Sequence, residues 1–302
     1  MGHSHHHHVD PEAGDRRVLL AVVVNLGLTV VQVIGGLLAG SLALIADALH
    51  NFSDAVSLII AFGARKIARR PADAEMTFGY GRAEVVAALI NYTTLIVVGL
   101  YLLYEAAWRF IEPQGVDGWL VVVIAGVALL VDVATALLTY TMSKTSVNIR
   151  AAFLHNVADA LGSVAVIFAG TLIILYDWRL IDPLVTLLIA GYILWQSFAE
   201  IRGVIRILML GSPPDVDTGE VMAHMRAMDG VADVHHAHLW QMDEHVAALD
   251  THLVIDKGAW GRADAIKAAV KVALHDRFGI EHTTIEMECA AHACTDAAVY
   301  GR

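Results

Sequence analysis

Histidine is nearly missing from the long middle of this 302-residue chain, occurring only twice between residues 9 and 211. Cysteine is scarcer still: there are two, Cys289 and Cys294, both near the C-terminus. So late and small a number excludes a disulfide-built scaffold. In a reducing compartment these two read as metal-binding or plain surface thiols. Charge is also thin, at 17% of residues, against 57% hydrophobic residues and a mean hydropathy of +0.60. That balance excludes an ordinary soluble protein. With a net charge of −11, nucleic acid is not an expected partner. No cleavable signal peptide is expected, because the start is polar and His-rich and the first apolar run is too long for one.

What is present, before residue 211, is a series of apolar runs about twenty residues long, the length that crosses a bilayer core. Six are read: Val18–Ala39, Leu42–Phe62, Val85–Phe110, Trp119–Tyr140, Ala151–Tyr176 and Leu184–Ile207. Basic residues set their orientation. Arg16 and Arg17 precede the first run, and Arg65, Lys66, Arg69, Arg70 and Arg82 separate the second from the third. Lys144 and Arg150 separate the fourth from the fifth, and Arg202 and Arg206 end the sixth. The remaining connections hold few cations, with Arg109 and Arg179 beside acidic neighbours. Positive charge therefore alternates sides and predicts that both termini are cytoplasmic, in the inner membrane of a bacterium. The expected domains are a disordered His-rich tail at 1–16, a membrane domain at 17–211 and a cytosolic domain at 212–302. The leader reads equally as a metal-collecting tail and as a purification tag.

Both middle histidines occur in the same phrase, His50-Asn51-Phe52-Ser53-Asp54 and His155-Asn156-Val157-Ala158-Asp159. Residues i and i+4 share a helix face, so each phrase presents one nitrogen and one oxygen ligand together. An ionised Asp at the centre of a membrane helix costs about 2.5–3.5 kcal/mol on insertion scales, so such residues usually serve a function. Two such pairs face to face make an N2O2 set suited to tetrahedral Zn²⁺. Asp47 lies one turn before His50, where it would orient the imidazole, hold a proton in transit, or simply face an aqueous cavity. Asp132 is an isolated intramembrane acid with a helper role or a place beside a water-filled vestibule. Asn25, Gln32 and Asn91 read as interhelical hydrogen-bond partners, and Gly35, Gly36 and Gly40 as close-packing residues.

After Gly211-Ser212-Pro213-Pro214 the composition changes. Seven Lys and Arg stand against fifteen Asp and Glu, and nine of the sixteen histidines lie here. The periodicity predicts a helix at Asp215–Met228, with Asp217 or Thr218 as N-cap, then strands at Val234–Gln241 and Ala247–Ile255. A helix at Arg262–Phe278 and a strand at Thr283–Glu288 follow. The order α-β-β-α-β predicts a small α+β sandwich of ferredoxin-like, metallochaperone-like type, small enough to favour a homodimer. Strand alternation puts His236 and His238 on one face and His235 on the other, with His252 on the neighbouring strand. Glu286 and Glu288 share one face of the last strand. These residues build a candidate cytosolic metal site, and the stretch Cys289 to Cys294, with His292 between, reads as a soft-ligand tail.

Taken together, the segments Ser41–Asp54, Arg70–Asp73, Thr77–Glu84, His155–Asp159 and Val234–Trp240 resemble the cation diffusion facilitators, in their zinc-type branch. The resemblance covers residues 16 to about 288. It implies a six-helix membrane domain, a cytosolic ferredoxin-like domain, a homodimer, and export of divalent cations in exchange for protons. On it, His50, Asp54, His155 and Asp159 form the transport site, and histidine at position 50 marks the zinc-preferring variant over the zinc/cadmium one. It also matches His235 and His252 to zinc ligands at a dimer interface, with Glu286 and Glu288 standing where a relative has histidine and aspartate. Some relatives carry a loop zinc site of one Asp and two His. Here Asp73 remains, with Met76 and Tyr80 at the histidine positions.

The expected activity is therefore Zn²⁺/H⁺ antiport by alternating access, with Cd²⁺, Co²⁺ and other divalent cations as further cargo, and the chain is not expected to be an enzyme. Two other readings compete. An intramembrane zinc hydrolase would need an open coordination position and a general base, which four protein ligands do not leave. A membrane metal sensor that does not transport would depend on the acidic tail more than on the quartet.

Overall fold

The structure, a computed structural model, describes residues 26–143, 147–294 and 298–300. The His-rich leader, Arg17, Asn25, Lys144 and the side chains of Asp54, Arg150 and His155 lie outside the described residues. Two units are distinguished. One is Met1–Phe62 with Ile90–Glu200, the other Gly63–Leu89 with Ile201–Arg302.

The first unit is helical: α1 (described as Leu26–Ala39), α2 (Leu42–Ala68), α3 (Arg82–Ile111), α4 (Gly118–Ser143), α5 (Val147–Tyr176) and α6 (Ile181–Leu208), with α2, α3 and α6 belonging partly to each unit. Among the described residues, five helices are long and apolar enough to cross a membrane, and α1 is a shorter apolar one. The burial pattern explains their composition. Along α4, Trp119, Val123, Val127, Leu130, Val133 and Leu137 are exposed at helical spacing, while Val121, Ala125, Ala128 and Asp132 are buried. An apolar stripe outside and an acid inside is the arrangement that suits lipid, where the helix ladder satisfies its own backbone.

The helices outlast the apolar runs. α2 continues past Phe62 through Arg65 and Lys66, and stops shortly before Pro71. Hydropathy marks the bilayer core, whereas the hydrogen-bond ladder runs on until proline halts it, and cations in the last turn suit the helix dipole. Small residues set the closest approaches. A Cβ on Gly35 would overlap the Ile124 side chain, and one on Gly118 would sit 2.7 Å from the Gly170 carbonyl oxygen.

The tail in the second unit comprises α7 (Thr218–Arg226), β1 (Val231–Gln241), β2 (Ala247–Ile255), a 3₁₀ turn at Trp260–Arg262, α8 (Ala263–Phe278) and β3 (Ile280–Cys289). Asp217 caps α7, accepting from the Gly219 and Glu220 amides at 2.7 and 3.3 Å. β1 and β2 pair antiparallel and β2 and β3 parallel, in the order β1-β2-β3. α8 is the crossover that a parallel pair requires. Met222 and Met225 of α7 and Ile266, Val270 and Leu274 of α8 belong to one core with Leu249, Leu253 and Ile255 of β2.

The expected alternation along β1 fails at one point. Register slips between His235 and His238, and His236 adopts φ +47°. This bulge turns His236 out of the pleat, so His235 and His236 are neighbours in space instead of occupying opposite faces. The amides of His236 and Ala237 point along the sheet edge and donate to the carbonyls of Ala298 and Val299 at 3.1 and 2.9 Å.

Candidate functional site

In the helical unit a ladder of polar side chains crosses between helices. His50 Nε2 on α2 stands 3.3 Å from Asp159 Oδ1 on α5, both largely buried. One turn earlier on α2, Asp47 accepts a 2.7 Å hydrogen bond from Gln32 Nε2 of α1. Asn51 Nδ2 donates to Gln32 Oε1 at 3.2 Å, so a single glutamine of α1 holds two positions on α2. The other side of Asp47 faces Gly162 of α5, where an added Cβ would lie 3.1 Å from Asp47 Oδ1. Ser163 donates to Asp132 Oδ2 of α4 at 3.0 Å, one turn beyond Asp159. The Tyr192 ring of α6 meets the imidazole of His50 edge-on at 6.4 Å.

α2 and α5 thus cross antiparallel, with Asp47 level with Gly162 and His50 level with Asp159. A buried imidazole against a buried carboxylate is costly without a partner or a cation, and the arrangement can bind and release a metal ion or a proton. Gln32 and Asn91 behave as expected of interhelical partners; Asn91 Oδ1 accepts from Ser53 at 3.3 Å.

Sequence reasoning assigns no role to several residues that build this region. Asp182, in the first turn of α6, and Arg109 hold the start of α2. Asp182-Pro183 was the available signal, since proline is favoured in a helix's first turn. Gly162 and Ser163, one turn from Asp159, carry no sequence signature of their own.

In the tail, the rings of His235, His236 and His252 lie 4.9–5.2 Å apart. Glu288 reaches both metal-capable histidines: its Oε1 is 2.6 Å from His252 Nδ1 and its Oε2 is 3.5 Å from His235 Nε2. The Cys294 amide and thiol also approach Glu288, at 3.0 and 3.4 Å. Burial works against ionisation of Glu288, but the Cys294 amide, the His252 ring and the Cys294 thiol outweigh it and hold this carboxyl below the usual glutamate range. One ligand atom each from His235, His252, Glu288 and Cys294 lie within 4.8 Å of one another. Glu286 is outside this group: it is mostly exposed, with its Oε2 3.4 Å from the second ring nitrogen of His252.

The loop between α2 and α3 contains no such group among the described residues. Asp73 accepts from the Glu75 and Met76 amides, both at 2.9 Å, and from the Tyr80 hydroxyl at 2.7 Å. Tyr80 spends its oxygen on closing the loop. Beside it, Phe78 meets Trp240 edge-on at 5.7 Å, and Arg82 donates to the carbonyls of Met242 and Gln241.

Comparisons with known proteins point the same way. Residues 18–209 match the model of the cation efflux transmembrane domain, and residues 213–290 that of the cation efflux protein cytoplasmic domain. A cadmium, cobalt and zinc/H⁺-K⁺ antiporter of Bacillus velezensis is 36% identical, over 97% of this chain and 93% of that protein. The metal cation efflux system protein CzcD of Cupriavidus metallidurans is 34% identical, over 98% and 93%. Zinc transporter ZitB of Escherichia coli is 34% identical, over 95% and 93%. A solved metal-bound C-terminal domain of CzcD aligns at 34% identity with 24% of this chain and 99% of that domain, with a TM-score of 0.23.

Proposed function

The chain belongs to the cation efflux family, and from that premise we propose that it exports divalent cations, Zn²⁺ foremost, in exchange for protons. The family is one of transporters, not enzymes. The observation that carries the proposal is the meeting of His50 and Asp159 across α2 and α5 at 3.3 Å. Continued by one turn, the same antiparallel register brings position 54 level with position 155, which supports Asp54 and His155 as the other half of a four-ligand site. Zinc and cadmium and cobalt in the names of the relatives support the cargo, and "antiporter" supports the proton.

The proposed cycle follows from imidazole chemistry. Open to the cytosol, His50 and His155 bind Zn²⁺ as neutral rings and release any proton they carry. Open to the outside, they take protons from the more acidic side. A protonated imidazole cannot ligate, so the metal leaves. One competition at one site couples both fluxes, and rocking of the helices changes which side has access. Asp47, tied to Gln32 and beside Gly162, orients α2 at this point and serves as a relay for the exchanged proton.

The wider frame of the proposal is six transmembrane helices at 17–211, both termini in the cytoplasm, and a bacterial inner membrane. A ferredoxin-like domain at 212–302 pairs two chains into a homodimer and senses metal. The α-β-β-α-β order of the tail supports this, as does the dimer-type cytoplasmic domain model matched there.

Purified protein in vesicles should accumulate Zn²⁺ when the lumen is acidic, and His155→Ala should abolish uptake. Transport indifferent to the pH gradient would overturn the coupling. Metal bound to the quartet with no flux at all would favour the sensor reading.

A further inference from the structure

We propose that Gln32 of α1 is a positioning residue of the transport site, holding α2 at the rotation about its own axis that aims His50 at Asp159. This deepens the export reading above and rests on it.

Gln32 is fully buried, and Asp47 and Asn51 are each 3% exposed, so bulk water does not compete for the three side chains. Both ends of the Gln32 amide are used. Nε2 donates to Asp47 Oδ2 at 2.7 Å, and Oε1 accepts from Asn51 Nδ2 at 3.2 Å. Turned over, the amide would set its oxygen against the Asp47 carboxylate, so its orientation is fixed. Asp47 is confined from a second direction as well, where Oδ1 lies 3.1 Å from the place of a Cβ on Gly162 of α5.

The clamp sits beside His50, not on it. Asp47 and Asn51 are four residues apart and share a face of α2. At about 100° per residue, the middle of that face lies about 80° round the helix from His50. α1 therefore grips one side of α2 while His50 leaves from the neighbouring side, toward Asp159 Oδ1 at 3.3 Å and against the Tyr192 ring. A ring nitrogen about 5–6 Å from the helix axis moves about 2 Å when the helix turns by about 20°. That displacement matches a whole zinc–nitrogen bond of about 2.0–2.1 Å. Two hydrogen bonds from one amide to positions a turn apart resist the rotation, because turning α2 pulls both partners off it.

The remaining contact between these helices cannot do this. Gly36, one turn along α1 from Gln32, is the tight point: a Cβ there would lie 2.6 Å from Ile45 Cγ1 and 3.3 Å from the Ile45 amide nitrogen. Packing of that kind has no preferred direction, so it sets the spacing of α1 and α2 and not the rotation of either. Gln32 supplies the direction.

Vesicle uptake of Zn²⁺ into an acidic lumen, measured over a range of Zn²⁺, separates KM from kcat. Gln32→Glu keeps the shape but sets one carboxylate against another, and KM is expected to rise about tenfold or more. Adding Asp47→Asn exchanges donor and acceptor: the new amide at 47 donates to the carboxylate at 32, and Asn51 still donates to its other oxygen. KM should then return to within about threefold of the wild type. The relay assigned to Asp47 is read separately, in kcat. Gln32→Leu removes both bonds, and its KM should stay raised with or without Asp47→Asn. Size-exclusion chromatography in detergent checks each variant, and if Gln32→Leu fails to fold, the equal-sized Glu and Asn changes decide alone. A KM unchanged in Gln32→Glu, or as high in the double variant as in the single one, overturns the proposal while wild-type uptake leaves export standing. A wild type that moves no Zn²⁺ overturns export and this role together.

Discussion

Ser41 donates its hydroxyl proton to Asp182 at 2.5 Å, so the first helical turn of α2 is capped by a carboxylate from the start of α6. The Leu42 and Ala43 amides donate to the same group at 2.8 and 3.3 Å. Arg109 of α3 bonds the Gly40 carbonyl at 2.5 Å and reaches Asp182 at 3.5 Å. Gly40 takes φ +71°, which frees its carbonyl for that contact. Three helices are thus fixed to one another within about two and a half helical turns of Asp47 and His50. Asp182 is 1% exposed, and its removal strands buried amides and a guanidinium. Asp182→Ala is expected to cost about 3–5 kcal/mol, read as a lower unfolding midpoint in detergent. Arg109→Ala should cost less, because Asp182 keeps its hydroxyl and amide donors.

Gly162 is where α5 comes nearest to Asp47. An alanine methyl there would lie 3.1 Å from Asp47 Oδ1, closer than a carbon and an oxygen rest comfortably. Gly162→Ala is expected to push α2 and α5 apart where His50 meets Asp159, with an overpacking cost of about 1–3 kcal/mol. Vesicle uptake of Zn²⁺ should fall while the protein still folds and extracts from the membrane normally. Unchanged uptake in Gly162→Val would show that this contact does not govern the site.

Much of this was legible in the sequence, because repeated local rules produced it. The His-Asn-x-x-Asp phrase states a helix face by its spacing alone, and β2 occupies the Ala247–Ile255 range that its alternation predicts. Rules of that kind fail where one residue leaves the regular backbone. His236 turns left-handed and the pleat no longer says which way His235 faces. They also fail where a ligand arrives by a turn. Nothing in the spacing of Cys294 shows that it folds back onto Glu288. Asp182 escaped notice for a third reason: its partners, Ser41, Leu42 and Arg109, are remote in sequence, and an acid at a helix start already has a local explanation.

Asp73 gives the loop between α2 and α3 a definite pH dependence. The Met76 amide, the Tyr80 hydroxyl and the Glu75 amide hold its carboxyl below the ordinary range. A folded-state pKa below the unfolded value makes the contribution fully present above the ordinary aspartate pKa, lost as pH falls through the depressed one. Amide exchange at Glu75 and Met76, corrected for intrinsic rates, should therefore stay slow at neutral pH and accelerate only in acid. In Tyr80→Phe one stabilising donor is gone, so acceleration should begin at higher pH. An onset at the same pH in both proteins would remove Tyr80 from this role.

The same loop fastens onto the tail through Phe78 and Arg82. Arg82 Nε donates to the Met242 carbonyl at 3.0 Å, and its guanidinium lies 5.7 Å from the centre of the Trp240 ring. Phe78 meets that ring edge-on, and His282 on β3 at 6.2 Å. Trp240 is on β1, five residues beyond His235, so one strand joins the candidate tail metal site to the start of α3. A planar fork that both hydrogen-bonds carbonyls and covers an aromatic ring has no lysine equivalent. Arg82→Lys should therefore loosen the contact nearly as much as Arg82→Ala. A double-mutant cycle between Phe78→Ala and Trp240→Ala should give a coupling of about 0.5–1.5 kcal/mol in tail unfolding. A coupling near zero would mean that Phe78 and Trp240 lie together without acting on each other.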